Sequence, residues 1–116
     1  MRARSLEFAV VGLGYWGPNL LRALVEVPGV EVAWICDQDP DRLGRYSHRY
    51  PGISATTDID EVLSDSGLDA VLLATPVFTH SELATRSLEA GKHTLVEKPL
   101  AASTAVSPNT PFSLLP

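Results

Sequence analysis

Residues Ala9–Asn19 read AVVGLGYWGPN, an apolar run followed by glycines at 12, 14 and 17 and then Pro18. A second apolar run, EVAWICD at residues 31–37, ends on Asp37, twenty positions after Gly17. Each part has its own job in holding a dinucleotide. Gly12 permits the tight turn from strand to helix, Gly14 lets the backbone approach a pyrophosphate, and Gly17 lets the helix pack closely on the strand. The helix N-terminus then turns its unpaired N–H groups toward the phosphates, and Asp37 accepts hydrogen bonds from the adenosine ribose. Glycine-rich turns are common, so context decides. Phe8–Val11 suits a buried parallel strand. Leu20, Leu21, Leu24 and Val25 recur at helical spacing, with Pro18 in the first turn and Pro28–Gly29 as the stop.

The chain has 116 residues, enough for one domain with a modest core. Its 45% hydrophobic and 20% charged residues belong to a soluble globular class. Net charge is −5 and the nine Lys and Arg residues form no basic stripe, which argues against a nucleic-acid partner. No apolar segment approaches the roughly 20 residues of a membrane helix. The start, MRARSLEF, lacks the apolar stretch of a signal peptide. Cys36 is the single cysteine and forms no internal disulfide, so a cytoplasmic, reducing location is the default expectation.

Strand and helix patterns alternate along most of the chain. Glu31–Asp37 is the second predicted strand. Asp39 reads as an N-cap with Pro40 at the first helical position, opening a helix to about Tyr50. Pro51–Gly52 breaks it, and Ile53–Ala55 is a short third strand. Asp58 and Glu61 have capping-box spacing ahead of a helix at Ile59–Leu63, and Asp69–Thr75 (DAVLLAT) is a strong fourth strand. Thr79 and Glu82 form a second such pair, starting a helix that Gly91 ends after Ala90. His93–Glu97 is the fifth strand. This order predicts an α/β fold, a Rossmann-type doubly wound parallel sheet incomplete at its C-terminal side, with ligands at the carboxyl ends of the strands. From Leu100 to Pro116 there is no charged residue and no convincing strand or helix, so residues 104–116 read as an irregular tail behind a dinucleotide-binding unit at 1–103.

Asp37 favours NAD, because a carboxylate accepts two ribose hydroxyls and repels a 2′-phosphate; Arg42 and Arg45 follow closely enough to offset that repulsion, leaving NADP open. The competing role for Asp37 is a cap on the turn into the next helix. Thr75 and Pro76 end the fourth strand, and with residues 77–79 would border the nicotinamide half; a plain turn capped by Thr79 is the other reading. Glu97, Lys98 and Pro99 end the fifth strand. Proline holds the preceding residue extended, which aims Lys98 into the crevice as a proton donor able to polarise a carbonyl or hydroxyl. A solvated Glu–Lys pair is the alternative there. His80, one residue past Thr79, reads either as a proton shuttle or as a solvated first-turn residue. Tyr15 and Trp16 lie in the glycine loop, and Trp16 either packs beside the cofactor or shields the helix start. Trp34 and Cys36 read as core. No Cys/His cluster has metal spacing, and no serine elbow is present.

GLGYWG (12–17), CD (36–37), ATP (74–76) with His80, and EKP (97–99) together resemble the N-terminal half of the Gfo/Idh/MocA oxidoreductases, over about residues 6–103. The resemblance implies NAD(P) binding in a first domain, with a second domain supplying most of a sugar or polyol site. Lys98 matches the family's EKP lysine near the transferred hydride. The GYWGPN variant is similar to members acting on nucleotide sugars. No counterpart of the second domain's catalytic residues is present, and the text changes character near Ala105, as a truncated gene, frameshift or fragmentary gene model would make it. A missing sixth strand is then expected to leave one sheet edge open, with marginal stability or self-association as the result. Three functions compete: the NAD(P)-binding half of a dehydrogenase, without autonomous catalysis; a non-catalytic nucleotide-binding module or nonfunctional fragment; and a methyltransferase, which shares the glycine loop but leaves EKP unexplained.

Overall fold

The structure, a computed structural model, describes residues 5–75, 77–97 and 103–106. Its elements run β1 (Leu6–Val11), α1 (Gly17–Leu24), β2 (Val30–Cys36), α2 (Pro40–Arg49), β3 (Ser54–Thr56), α3 (Ile59–Leu63), β4 (Ala70–Leu73), α4 (Val77–Glu89), β5 (His93–Glu97) and β6 (Ser103–Val106). Local chemistry accounts for several boundaries. The Asp39 carboxylate accepts from the N–H groups of Asp41 and Arg42 and opens α2, with Pro40 in the first turn. Asp58 does the same for α3 through Asp60 N–H, while Thr56 Oγ1 takes the Asp58 N–H at 3.0 Å. At the end of α4, Gly91 has φ +80°, and Lys92 N–H reaches Ser87 O while Gly91 N–H reaches Leu88 O, a Schellman closure.

The sheet has strand order β3-β2-β1-β4-β5-β6. The pairs among β1 to β5 are all parallel. Period-two alternation sends Ala9 and Val11 to one face and Val10 to the other. The first face packs against Val62 of α3 and Ala84 of α4; the second packs against Leu21 of α1 and Leu43 of α2. Leu21 and Ile35 are fully buried, each stabilising the fold by about 1.5–3 kcal/mol. This is the expected doubly wound α/β architecture.

Three expectations are corrected. Residues 103–106 form β6, antiparallel to β5 with Glu97 opposite Ser103 and Thr94 opposite Val106, so the edge of β5 expected to lie open is paired. Four residues without periodicity carry little local signal, and only the exposed hydrogen-bonding edge of β5 makes them a strand. Thr79 does not cap α4, which begins at Val77; its hydroxyl donates instead to Thr75 Oγ1 at 2.7 Å. Val25 is exposed at the α1 C-cap and takes no part in the buried stripe.

Candidate functional site

Strand order reverses between β1 and β4, because the chain leaves β1 toward β2 on one side and returns through β4 on the other. In open α/β sheets that reversal leaves a crevice at the carboxyl ends. Here it is a cavity of about 640 Å³, walled by Gly12, Gly14, Tyr15 and Trp16 on one side and by Asp37, Arg42 and Thr75 on the other.

The three glycines do three different things. Gly12 has φ +98°, and a Cβ there would lie 2.8 Å from Ala74 C and Thr75 N, so it joins the β1 turn to the β4 turn. A Cβ on Gly17 would run into the Gly12 carbonyl, which places the start of α1 directly on the strand end. Gly14 is different: it is exposed, and a Cβ there would meet nothing nearer than Arg42 Nη1 at 3.6 Å. The protein itself does not need glycine at 14, whereas a phosphate approaching the backbone does. The N-cap of α1 is Trp16, with no side-chain hydrogen bond to the helix, so no side chain competes with an anion there. Tyr15 is 83% exposed at the rim and meets Trp16 edge to face, ring centroids 4.9 Å apart.

Asp37 is buried at the end of β2, where its role in the turn toward the next helix is present. Its carboxylate accepts from Leu13 N–H at 2.7 Å and Asp39 N–H at 2.8 Å, tying the glycine loop to the β2–α2 turn. Arg42 Nη1 approaches it at 3.4 Å. Cys36 beside it is a core thiol: burial, then the negative charges of Asp37, Asp58 and Glu61, push it up to about 11. Trp34, read as core, is half-buried and donates Nε1–H to Asp65 at 2.8 Å.

His80 is a correction. It is neither solvated nor on the cavity wall; its Nε2 lies 2.7 Å from Thr75 O. A carbonyl only accepts, so Nε2 carries the hydrogen and the ring braces the β4–α4 turn. Helix geometry decides this, since a start at Val77 swings position 80 back over Thr75. Pro76 and Lys98 lie outside the described residues. Glu97 ends β5 at the same edge of the sheet. Sequence reasoning missed Ile59, Leu83 and Arg86, which extend the wall beyond Asp37. Arg86 forms an ion pair with Asp60, joining α4 to α3. The spacing from Leu83 to Arg86 on one helix face was the available signal. Among the described residues no His, Cys, Asp or Glu group has the arrangement of a metal site, and no helix is long and apolar enough to cross a membrane.

The family model described as an oxidoreductase family with an NAD-binding Rossmann fold matches residues 6–107. The chain belongs to the Gfo/Idh/MocA oxidoreductase family. Inositol 2-dehydrogenase 1 of Saccharopolyspora erythraea is 40% identical over 104 residues, covering 87% of this chain and 31% of that enzyme. Among solved structures, GenD2 from gentamicin A biosynthesis, in complex with NAD, superposes with a TM-score of 0.78 at 36% identity, covering 85% of this chain and 28% of GenD2. KijD10, a 3-ketoreductase from Actinomadura kijaniata in complex with NADP and TDP-benzene, gives 0.75 at 32% identity, covering 84% of this chain and 30% of KijD10. This Gfo/Idh/MocA chain is therefore the family's NAD-binding Rossmann domain, and it spans about a third of the length of the curated relatives it matches.

Proposed function

We propose that this Gfo/Idh/MocA domain binds NAD(H) across the β1/β4 crevice, with its pyrophosphate over Gly14 and the start of α1, and its adenosine ribose toward Asp37 and Arg42. Tyr15 and Trp16 border the cofactor, Gly12 and Gly17 hold the loop's shape, and Thr75 faces the nicotinamide half, with Pro76 next to it in sequence. His80 acts through the Thr75 carbonyl. Lys98, next in sequence after Glu97 at the end of β5, is the proton-donating catalytic candidate. The observation that carries the reading is Gly14, a glycine that the surrounding protein does not require, exposed in a cavity of about 640 Å³. The dinucleotide unit in this reading extends through β6. Sugars, polyols or nucleotide-linked sugars are the substrate class, suggested by the inositol dehydrogenase and by the TDP-benzene complex of KijD10.

The Rossmann domain by itself binds without turnover in this reading, because Lys98 alone cannot both position a sugar and manage its protons. In this reading nucleic acid and membranes are not partners, the compartment is the cytoplasm, and sedimentation velocity checks whether copies associate. Calorimetric titration with NADH tests the central claim: saturable heat at one equivalent per chain is expected, and its absence would overturn dinucleotide binding. Turnover of any sugar by the purified chain would overturn the non-autonomous reading.

A further inference from the structure

We propose that Tyr15 retains the cofactor: its ring folds over the diphosphate of a bound dinucleotide, backed by the Trp16 indole, and slows release. The proposal rests on the dinucleotide reading above. Gly12 N–H donates to Cys36 O at 2.8 Å and Leu13 N–H to Asp37 at 2.7 Å. The next four backbone N–H groups, from Gly14 to Gly17, have no hydrogen-bond partner among the described residues. Such a run forms a concavity for anion oxygens. Tyr15 and Trp16 belong to the same four residues, and both line the cavity. An anion held by that run therefore lies beside both rings.

The two tryptophans are used differently. Trp34 donates its Nε1–H to Asp65 at 2.8 Å, as a structural tryptophan does. Trp16 is half-buried on the cavity wall, and its indole N–H has no partner among the described residues. Tyr15 meets it edge to face, ring centroids 4.9 Å apart and planes at 88°, a favoured aromatic arrangement. That contact covers little of the ring, which stays 83% exposed, whereas Tyr46 and Tyr50 pack against the core. Rotation about the Tyr15 side-chain bonds is enough to lower it onto the loop, since exposed side chains change rotamer freely. Lowered there, the ring loses its contact with water and keeps water from the N–H groups beneath it. Hydrogen bonds from those groups to a diphosphate are stronger in the drier, lower-dielectric surroundings. The ring and not its hydroxyl makes the cover.

Stopped-flow release of NADH from the full chain, Tyr15→Phe and Tyr15→Ala tests this, with calorimetry of ADP-ribose and 5′-AMP beside it. Tyr15→Ala is expected to speed NADH release about tenfold, equivalent to about 1.4 kcal/mol, with association little changed. ADP-ribose, which keeps the diphosphate, is expected to weaken in parallel, and 5′-AMP, which lacks it, to hold constant. Tyr15→Phe is expected to match the wild type. On the wild type alone, saturating ADP-ribose is expected to protect Tyr15 from nitration by tetranitromethane, mapped by mass spectrometry, while 5′-AMP leaves it reactive. Unchanged release from Tyr15→Ala, equal weakening of ADP-ribose and 5′-AMP, or nitration indifferent to ADP-ribose would overturn the role of Tyr15 alone. No saturable binding of any of the three nucleotides by the wild type would overturn the dinucleotide reading and this proposal with it.

Discussion

The two ends of the same parallel sheet treat their polar groups in opposite ways. At the amino ends of β4 and β5 they satisfy one another. Lys92, only 6% exposed, donates Nζ–H to Asp65 O at 2.7 Å and Leu68 O at 3.0 Å. The Asp65 carboxylate takes Trp34 Nε1–H at 2.8 Å and Gly67 N–H at 2.9 Å, and Asp69 Oδ2 takes Glu7 N–H at 2.8 Å. At the carboxyl ends, Gly14 is exposed, α1 has no side-chain cap, and the buried Asp37 carboxylate pairs with a partly exposed arginine. One end is closed and holds the fold. The other is held open, its first α1 N–H groups left without a side-chain cap.

Substitutions can break this contrast, and the largest effect is expected where the open end is itself built by packing. Gly17→Ala drives a Cβ into the Gly12 carbonyl, 2.8 Å from its carbon, and should cost about 3 kcal/mol or more in urea unfolding, with loss of NADH binding. Lys92→Met removes a charged donor from two carbonyls and should cost about 2–3 kcal/mol, while NADH affinity of the folded protein is unchanged. A parallel loss of affinity there would show that the closed end also shapes the site.

Gly14→Ala sharpens the contrast from the other side. Its Cβ meets only the Arg42 guanidinium, at an ordinary contact distance of 3.6 Å, so unfolding free energy should stay within about 0.5 kcal/mol. The same methyl stands where the pyrophosphate approaches, and calorimetry should show NADH weakened about tenfold or more. The smallest effect concerns acid. The Trp34 and Gly67 hydrogen bonds, helped by the Lys92 charge, hold the Asp65 carboxyl below its usual 3.8. A depressed folded value means stability that is present above the unfolded value and lost as pH falls through the folded one. The stability gap between wild type and Asp65→Asn should therefore be full near neutral pH and shrink below about pH 4 in urea titrations followed by tryptophan fluorescence. Cys36, pushed up to about 11, should resist thiol reagents at neutral pH until the chain unfolds.

The legible features shared one property: their partners lie within a few residues. Asp39 and Asp58 cap helices two or three residues away, and Gly91 closes α4. Gly12 and Gly17 were readable because the strand-turn-helix they serve is continuous in sequence. Illegible features had distant partners. A lysine ahead of a strand reads as solvated, yet Lys92 finds two carbonyls more than twenty positions back. His80 looked like a surface or shuttling histidine until α4 began at Val77 and turned its ring onto Thr75. The strand β6 exists through the edge of β5 and not through its own pattern.

Hydrophobic period, caps and glycine spacing thus dictated the α/β alternation, the dinucleotide loop and the acidic strand end, since those depend on bond geometry and near neighbours. Folding alone decided that Asp37 would be shared among Leu13, Asp39 and Arg42, that Gly14 would face only the Arg42 side chain while Gly12 and Gly17 are enclosed, and that Arg86 would reach Asp60. Those outcomes require groups distant in sequence to meet, and a meeting in space depends on how helices and sheet pack, which no local pattern encodes.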